Sequence, residues 1–128
     1  MTKKEILSSE QAPAAVGPYS AAVRTGNLVF LSGQLGLNPS SGEFVAGGIS
    51  EQTKQSLLNI ESVLKSNDMS IKNIIKTTVF LKNMKDFSKM NKVYGEVFTD
   101  TFPARSTVEV ASLPKNGLVE IEAIAYYE

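Results

Sequence analysis

Polar residues at four places in the sequence could take part in ligand binding or catalysis. Arg105 opens an alternating segment after a Phe-Pro-Ala stretch, and an arginine there can hold a carboxylate through two parallel hydrogen bonds. Glu120 and Glu122 stand two positions apart in an otherwise apolar segment, where a half-buried carboxyl group can act as a proton shuttle. Tyr19 follows a Gly-Pro turn, and Asn91 lies beside the apolar stripe of a helical segment. Each of these residues is therefore a candidate for binding or for proton transfer.

Each placement also has an ordinary structural explanation, and the pattern alone favours it. Arg105 can form a surface or interface ion pair with a strand glutamate. Glu120 and Glu122 can belong to a solvated face of their strand. Asn91 can make a structural hydrogen bond, and Tyr19 can be a core tyrosine with a satisfied hydroxyl group. Residue types and spacing therefore leave both explanations open.

Two absent residue types exclude the most familiar catalytic centres. The chain of 128 residues contains no histidine and no cysteine. A Ser-His triad, a histidine base or metal ligand, a thiol nucleophile and a thiolate metal site are all excluded. Catalysis must rest on carboxylates, lysine, arginine, hydroxyl groups, backbone groups or a carried cofactor. The 13 basic and 13 acidic residues balance, so composition does not favour a nucleic-acid partner.

Length and hydrophobicity predict one globular domain over residues 1–128. Hydrophobic residues make up 42% of the chain and charged residues 20%, as in soluble proteins. No apolar run approaches the ~20 residues that cross a membrane. The first 11 residues lack the apolar stretch of a signal peptide. We therefore expect a cytoplasmic protein with no membrane partner.

Hydrophobic periodicity predicts alternating strands and helices. The predicted strands are 19–25, 28–32, 74–82, 105–111 and 118–127, and the predicted helices are 50–65 and 86–98. The first eight residues could add a strand, and residues 33–48 are expected to form a long loop or loose hairpin. Gly26-Asn27 predicts a hairpin between the first two strands, and the turn at 114–117 predicts an antiparallel hairpin between the last two.

Finer signals concern helix ends and strand faces. Ser50 and Asp86 are expected to cap the two helices, and Asn67 to end the first in a left-handed conformation. In the strand at 74–82, the residues expected to share one face are Ile75, Thr77, Val79 and Leu81.

The order of elements predicts an α+β sandwich, with two helices on one face of a mixed, mostly antiparallel sheet. Two helices can cover only one sheet face. The last strand nevertheless carries Leu118, Ile124 and Tyr126 on the face opposite its main apolar row. A second subunit is the simplest cover for that face.

Several longer motifs resemble the RidA/YjgF family of reactive-intermediate deaminases. The motifs occur at 12–20 (APAAVGPYS), 31–34 (LSGQ), 76–80 (KTTVF), 102–106 (FPARS), 108–115 (VEVASLPK) and 119–125 (VEIEAIA). They follow in the family's order and cover essentially the whole chain. The resemblance implies a homotrimer of chorismate-mutase-like subunits, with the sheets packed inward as a barrel and the active sites between subunits.

The resemblance also implies an activity and a set of residues. The activity is hydrolysis of 2-imino acids such as 2-iminobutanoate and 2-iminopropanoate, the latter a tautomer of 2-aminoacrylate, to 2-oxo acids and ammonia, with no cofactor and no metal. Arg105 would hold the substrate carboxylate, and Glu120 would position water and move protons. The other residues implied to bind substrate are Tyr19, Ser32, Gly33, Asn91 and Thr107. Many deaminases of the family carry cysteine at the position of Thr107, a departure that bears on substrate preference.

Two other functions are compatible with the same motifs. A regulatory trimer could bind a small carboxylate without turning it over, and such a binder needs Arg105 but no proton shuttle at Glu120. The family is also known under the names L-PSP endoribonuclease and translation inhibitor. The zero net charge and the missing histidine argue against RNA cleavage.

Overall fold

One sheet and two helices make up the regular structure. The computed structural model describes residues 3–128. In chain order the elements are β1 (Lys4–Leu7), β2 (Ala22–Thr25), β3 (Leu28–Leu35), α1 (Gly48–Lys65), β4 (Ile74–Leu81), α2 (Phe87–Val97), β5 (Ala104–Glu109) and β6 (Val119–Tyr126). The strand suggested for the first eight residues is present as β1, and residues 1–2 lie outside the described part. The α+β class is confirmed.

Strand order corrects the predicted pairing of the last two strands. The sheet runs β1-β2-β3-β6-β4-β5, with β5 parallel to β4 and every other pair antiparallel. The β5–β6 hairpin is therefore wrong, because β6 lies between β3 and β4. Burial explains the order: alternate residues of β6 are almost completely buried, so this strand takes the centre, whereas β5 has no buried residue and forms an edge.

The first predicted hairpin is confirmed. Thr25 pairs with Leu28 across a two-residue connection, and Gly26 there has a φ of 58°. A left-handed backbone of this kind suits glycine and matches the right-handed twist of the flanking strands. The glycine-rich segment that follows is partly strand, since β3 continues to Leu35, and Leu37 then bridges to Phe44 as a loose hairpin.

The helix caps differ from expectation. Helix α1 begins at Gly48 after a left-handed Gly47, so Ser50 lies inside the helix and does not cap it. Asp86 precedes α2 but makes no capping hydrogen bond. After α1 the left-handed residue is Asp68 (φ 61°) and not Asn67, whose side-chain amide instead donates to the Val63 carbonyl at 2.7 Å. Glycines and local hydrogen bonds thus override the capping signals.

Both helices cover the same sheet face, as predicted. The core between them is formed by α1 (Leu57, Ile60, Leu64), α2 (Met90, Tyr94) and the sheet (Val29, Leu31, Val79, Leu81, Val119, Ile121, Ala123, Ala125). Thr77, Val79 and Leu81 share the buried face of β4, as predicted. The prediction is wrong for Ile75, which is 46% exposed, and Ile74 is buried instead. A register shift between Ile74 and Lys76 inserts one residue and reverses the side on which each side chain points.

The opposite face carries a row of exposed apolar side chains. Leu28 pairs with Tyr126 and Phe30 with Ile124, and Phe30 is 45% exposed. Val108 is also exposed, beside Phe80 on β4. Contiguous apolar surface of this kind commonly marks an interface. Within residues 3–128, no helix has both the length and the apolar character of a membrane span.

Alanine substitutions at two separate glycines test how closely α1 packs on the segment after β3. A methyl group at Gly36 would lie 2.6 Å from the Gln52 Cα atom, whereas one at Gly95 on α2 would meet nothing within 4 Å. We expect Gly36→Ala to lower the free energy of unfolding by about 1–3 kcal/mol. Gly95→Ala should leave it unchanged or raise it by up to about 1 kcal/mol, because alanine favours helix. Urea unfolding at one protein concentration measures both, and equal effects would contradict the packing described.

Candidate active site

The predicted site residues fall into two groups in one chain. Tyr19, Gly33 and Glu120 line a cavity of about 490 Å³, here called the Glu120 cavity. Asn91 and Arg105 line a cleft of about 420 Å³ between α2 and β5, here called the Arg105 cleft. The chain by itself does not bring the two groups together.

The sheet lies between Arg105 and Glu120. Arg105 pairs with Thr77, whose buried side chain faces the helices. Glu120 alternates with Val119 and Ile121, which face the helices, so its own side chain points the other way. The two charged residues therefore lie on opposite faces of the sheet.

Glu120 packs directly over Gly33. A methyl group at Gly33 would lie 2.8 Å from the Glu120 Cδ atom. The register of β3 against β6 also shifts between Leu31 and Gln34, which includes Gly33. A residue without a side chain is therefore required here, and Gly33 contributes by giving the carboxyl group room.

The surroundings of the Glu120 carboxyl group favour its protonated form. Burial raises its pKa above the ordinary value for glutamate, and the negative charge of Glu122 raises it further. Within residues 3–128, no cation lies at ion-pair distance from it. A glutamate in these surroundings gains and loses a proton nearer to neutral pH than an ordinary one.

Ser32 holds the segment that carries Tyr19. Its hydroxyl group donates to the Ser20 carbonyl at 2.6 Å, and its backbone N–H donates to the Ala21 carbonyl at 2.9 Å. The hydroxyl hydrogen is thus already used within the chain. Tyr19 itself is exposed at the Glu120 cavity, so its phenol group can meet a ligand there.

Two aromatic rings of α2 orient Arg105. The guanidinium carbon lies 4.8 Å from the centre of the Tyr94 ring and 5.5 Å from that of Phe87. The Tyr94 hydroxyl group is hydrogen-bonded to the Thr77 hydroxyl group at 2.7 Å, and both residues are buried. Phe87 and Tyr94 occur at i and i+7 in the sequence of α2, a spacing that places two aromatic rings on one helix face and could have indicated this role.

Tyr94 remains a neutral partner of this arginine. Burial raises the pKa of its phenol group, while the hydrogen bond to Thr77 and the positive charge of Arg105 lower it by smaller amounts. A neutral ring keeps its negative face toward the guanidinium group, which leaves the planar fork of Arg105 free to bind a carboxylate.

Asn91 lines the same cleft as Arg105, and Thr107 follows Arg105 on β5. Asn91 is exposed on α2 at the Arg105 cleft. Thr107 is two residues beyond Arg105 on the same face of β5, and its hydroxyl oxygen is buried without a hydrogen-bond partner within residues 3–128. Such a hydroxyl group costs free energy unless another molecule meets it.

Comparison with known proteins shows the family of the chain. The family model described as Endoribonuclease L-PSP matches residues 9–127. The chain belongs to this family, which includes the RidA/YjgF proteins. The structural neighbours of the mixed six-stranded sheet are L-PSP family proteins as well.

Three relatives show how closely the family is matched. A RutC family protein of Pyrococcus horikoshii is 50% identical over 98% of this chain and 99% of its own. A 2-iminobutanoate/2-iminopropanoate deaminase of Bos taurus is 49% identical over 95% of this chain and 89% of its own. The crystal structure of E. coli TdcF with bound serine superposes with a TM-score of 0.92 at 40% identity, covering 97% and 99% of the two chains. This RidA/YjgF chain therefore belongs to a family that includes imine deaminases and proteins that bind small molecules.

The raised pKa of Glu120 makes stability depend on pH. Between the ordinary glutamate pKa and the raised one, the folded chain binds more protons than the unfolded chain, so stability falls as pH rises through that window. Glu120→Gln removes the half-buried charge and should raise the free energy of unfolding at neutral pH. The gain should vanish below the ordinary glutamate pKa, where both states of the wild type are protonated.

Denaturant unfolding between pH 3 and pH 8 measures this difference. Glu122→Gln is the matched control, because Glu122 is exposed two residues away on the same strand face. Its effect should be smaller. A Glu120→Gln variant that is less stable than the wild type at neutral pH would show that the charged form is favoured by contacts in the folded chain.

Proposed function

We propose that the protein is a hydrolytic deaminase that converts short 2-imino acids, such as 2-iminobutanoate and 2-iminopropanoate, to 2-oxo acids and ammonia. The observation that carries the proposal is Glu120, a half-buried carboxyl group whose pKa is raised by burial and by Glu122, in a cavity large enough for a small molecule. The activity named for the bovine relative supports the same reaction class.

The reaction needs one proton shuttle. A protonated imine is already electrophilic at its C2 carbon. As water attacks that carbon, the Glu120 carboxylate takes a proton from the water, and C2 gains a hydroxyl group. The carboxyl group then protonates the amino group, the C–N bond breaks and ammonia is released. The hydroxyl group becomes the 2-oxo group as its proton passes to the Glu120 carboxylate, and ammonia takes up that proton, leaves as ammonium and restores the carboxylate. These steps require neither a metal nor an organic cofactor.

Arg105 supplies orientation in this mechanism. Its guanidinium fork, fixed against Tyr94 and Phe87, binds the substrate carboxylate through two parallel hydrogen bonds. Holding the carboxylate directs C2 toward the water beside Glu120, and such positioning can lower a barrier by several kcal/mol. We assign Tyr19, Gly33, Ser32, Asn91 and Thr107 to the walls of the same site.

A complete site requires a second copy of the chain. Arg105 and Glu120 lie on opposite faces of one sheet, so one subunit must offer Arg105 and a neighbour Glu120. The exposed apolar row that includes Phe30 and Tyr126 provides surface for such contacts. We propose a homotrimer with three sites between subunits.

Glutamine substitutions separate binding from chemistry. Glu120→Gln keeps the size of the side chain but cannot accept a proton, so we expect turnover to fall about 10²–10⁴-fold. Binding of 2-oxobutanoate should change little, because Arg105 is intact. Glu122→Gln is the control and should cost much less.

In the activity assay, a dehydratase generates the imine and semicarbazide traps the imine that is not hydrolysed. A decrease in the amount of trapped imine measures hydrolysis by the protein. Calorimetry measures binding of 2-oxobutanoate to both variants. Equal losses in the two variants would show that the wrong glutamate is assigned. Unchanged turnover in Glu120→Gln would favour a trimer that binds small carboxylates without catalysis.

Mixing two inactive variants tests the shared site. Arg105→Ala chains retain Glu120, and Glu120→Gln chains retain Arg105, so a mixed trimer can assemble one intact site. After the variants are unfolded and refolded together in equal amounts, random mixing predicts about a quarter of the wild-type activity. Light scattering after gel filtration should give three times the mass of the 13.8 kDa chain. A monomer, or no recovery in mixed trimers, would contradict a site between subunits.

A further inference from the structure

The Glu120 cavity is larger than a short 2-imino acid requires. Its volume is about 490 Å³. A substrate such as 2-iminobutanoate has about seven non-hydrogen atoms, and at about 30 Å³ for each water-sized group it fills about 210 Å³. The space that one chain lines is thus more than twice that volume, which leaves room both for Arg105 of a neighbouring subunit and for a longer substrate side chain.

The lining of the cavity indicates what that side chain carries. Much of the wall is apolar, with Ala14, Val16 and Leu37 among its members. Among the described lining residues, the charged ones are Glu120 and Lys115. An apolar wall that includes one cation suits a short aliphatic chain ending in an anionic group.

Lys115 has an exposed side chain on a tightly folded turn. Lys115 and Asn116 have consecutive left-handed conformations, with φ of 56° and 62°, which are uncommon for residues other than glycine. The Lys115 ammonium group donates to the Gly42 carbonyl at 3.2 Å. The following Gly117 packs so closely on Leu35 that a methyl group would lie 3.0 Å from that side chain.

The segment that receives Lys115 is also ordered. The Gly42 N–H donates to the Asn38 carbonyl at 2.8 Å, and the Asn38 N–H donates to the Glu43 carbonyl at 2.7 Å. The side-chain oxygen of Asn38 accepts the N–H groups of Ser40 and Ser41. Because an ammonium group has three N–H donors and Gly42 accepts one, two remain for a ligand.

We propose that the Glu120 cavity accepts acidic 2-imino acids, such as 2-iminoglutarate, whose second carboxylate binds Lys115. The inference rests on the proposed function, because it places the imine carbon beside Glu120 and the first carboxylate on Arg105 of a neighbouring subunit. Lys115 then selects among substrates without taking part in proton transfer. The positive charge of Lys115 also offsets the repulsion between Glu120 and a dicarboxylic substrate.

Substitutions of two lysines, one in the turn at 114–117 and one that contacts it, test the assignment. Lys115→Gln removes the charge, and Lys115→Arg keeps it. Lys82→Gln is the matched control, since Lys82 donates to the Asn116 side chain at 2.6 Å in the same turn but does not line the cavity. We expect Lys115→Gln to lower kcat/KM for 2-iminoglutarate about 10-fold, mainly through KM, and to change that for 2-iminobutanoate less than about twofold. Lys115→Arg should restore most of the loss, and Lys82→Gln should behave as the wild type.

An amino-acid oxidase with catalase generates each imine from glutamate or 2-aminobutanoate, and semicarbazide competition reports hydrolysis. The inference is overturned if the wild type hydrolyses 2-iminobutanoate but not 2-iminoglutarate. It is also overturned if Lys115→Gln lowers both activities equally, or if Lys82→Gln matches Lys115→Gln.

Binding of the 2-oxo products separates this inference from the proposed function. If the protein hydrolyses neither imine, the proposed function fails. Calorimetry then tests the inference by itself. If 2-oxoglutarate binds more tightly than 2-oxobutanoate, and if Lys115→Gln removes that difference, the cavity binds acidic ligands as inferred. Equal affinities of the wild type for the two 2-oxo acids would overturn it.

Discussion

The alternation of β6 at the centre of the sheet is the constraint on which the site depends. Val119 and Ile121 are completely buried beneath the helices, so Glu120 between them must point to the other face. That geometry carries a carboxyl group to the Glu120 cavity on a rigid central strand. Gly33 on the adjoining strand leaves the space that the carboxyl group occupies.

The same sheet holds Arg105 on its helix-covered face. The β4–α2–β5 unit packs α2 beside the edge strand, and Tyr94, anchored by Thr77, presents its ring to the guanidinium group. A central carboxyl group and an edge cation thus lie on opposite faces. The fold keeps opposite charges apart within one chain, which leaves each free to meet a ligand.

The electrostatic surroundings of Glu120 are unfavourable for its charged form. Burial and the nearby Glu122 both disfavour the charged carboxylate, and within residues 3–128 no cation compensates. Such surroundings reduce the stability of the folded chain at neutral pH. In the described part of the chain, the buried hydroxyl group of Thr107 is a second polar group without a hydrogen-bond partner.

The sequence by itself determined the element types, the β2–β3 hairpin, the α+β class and the family, because these depend on local periodicity, turn residues and motifs. Tertiary structure alone decided that β6 enters between β3 and β4, since strand order depends on which strand buries most apolar surface. It also decided the bulge that turns Ile75 outward and the start of α1 at Gly48. The sequence marked Arg105, Glu120 and Gly33, whereas the stacking of Tyr94, the anchoring of Ser32 and the place of Lys115 at the cavity emerged only from packing between distant segments. Such contacts leave no periodic signal along the chain.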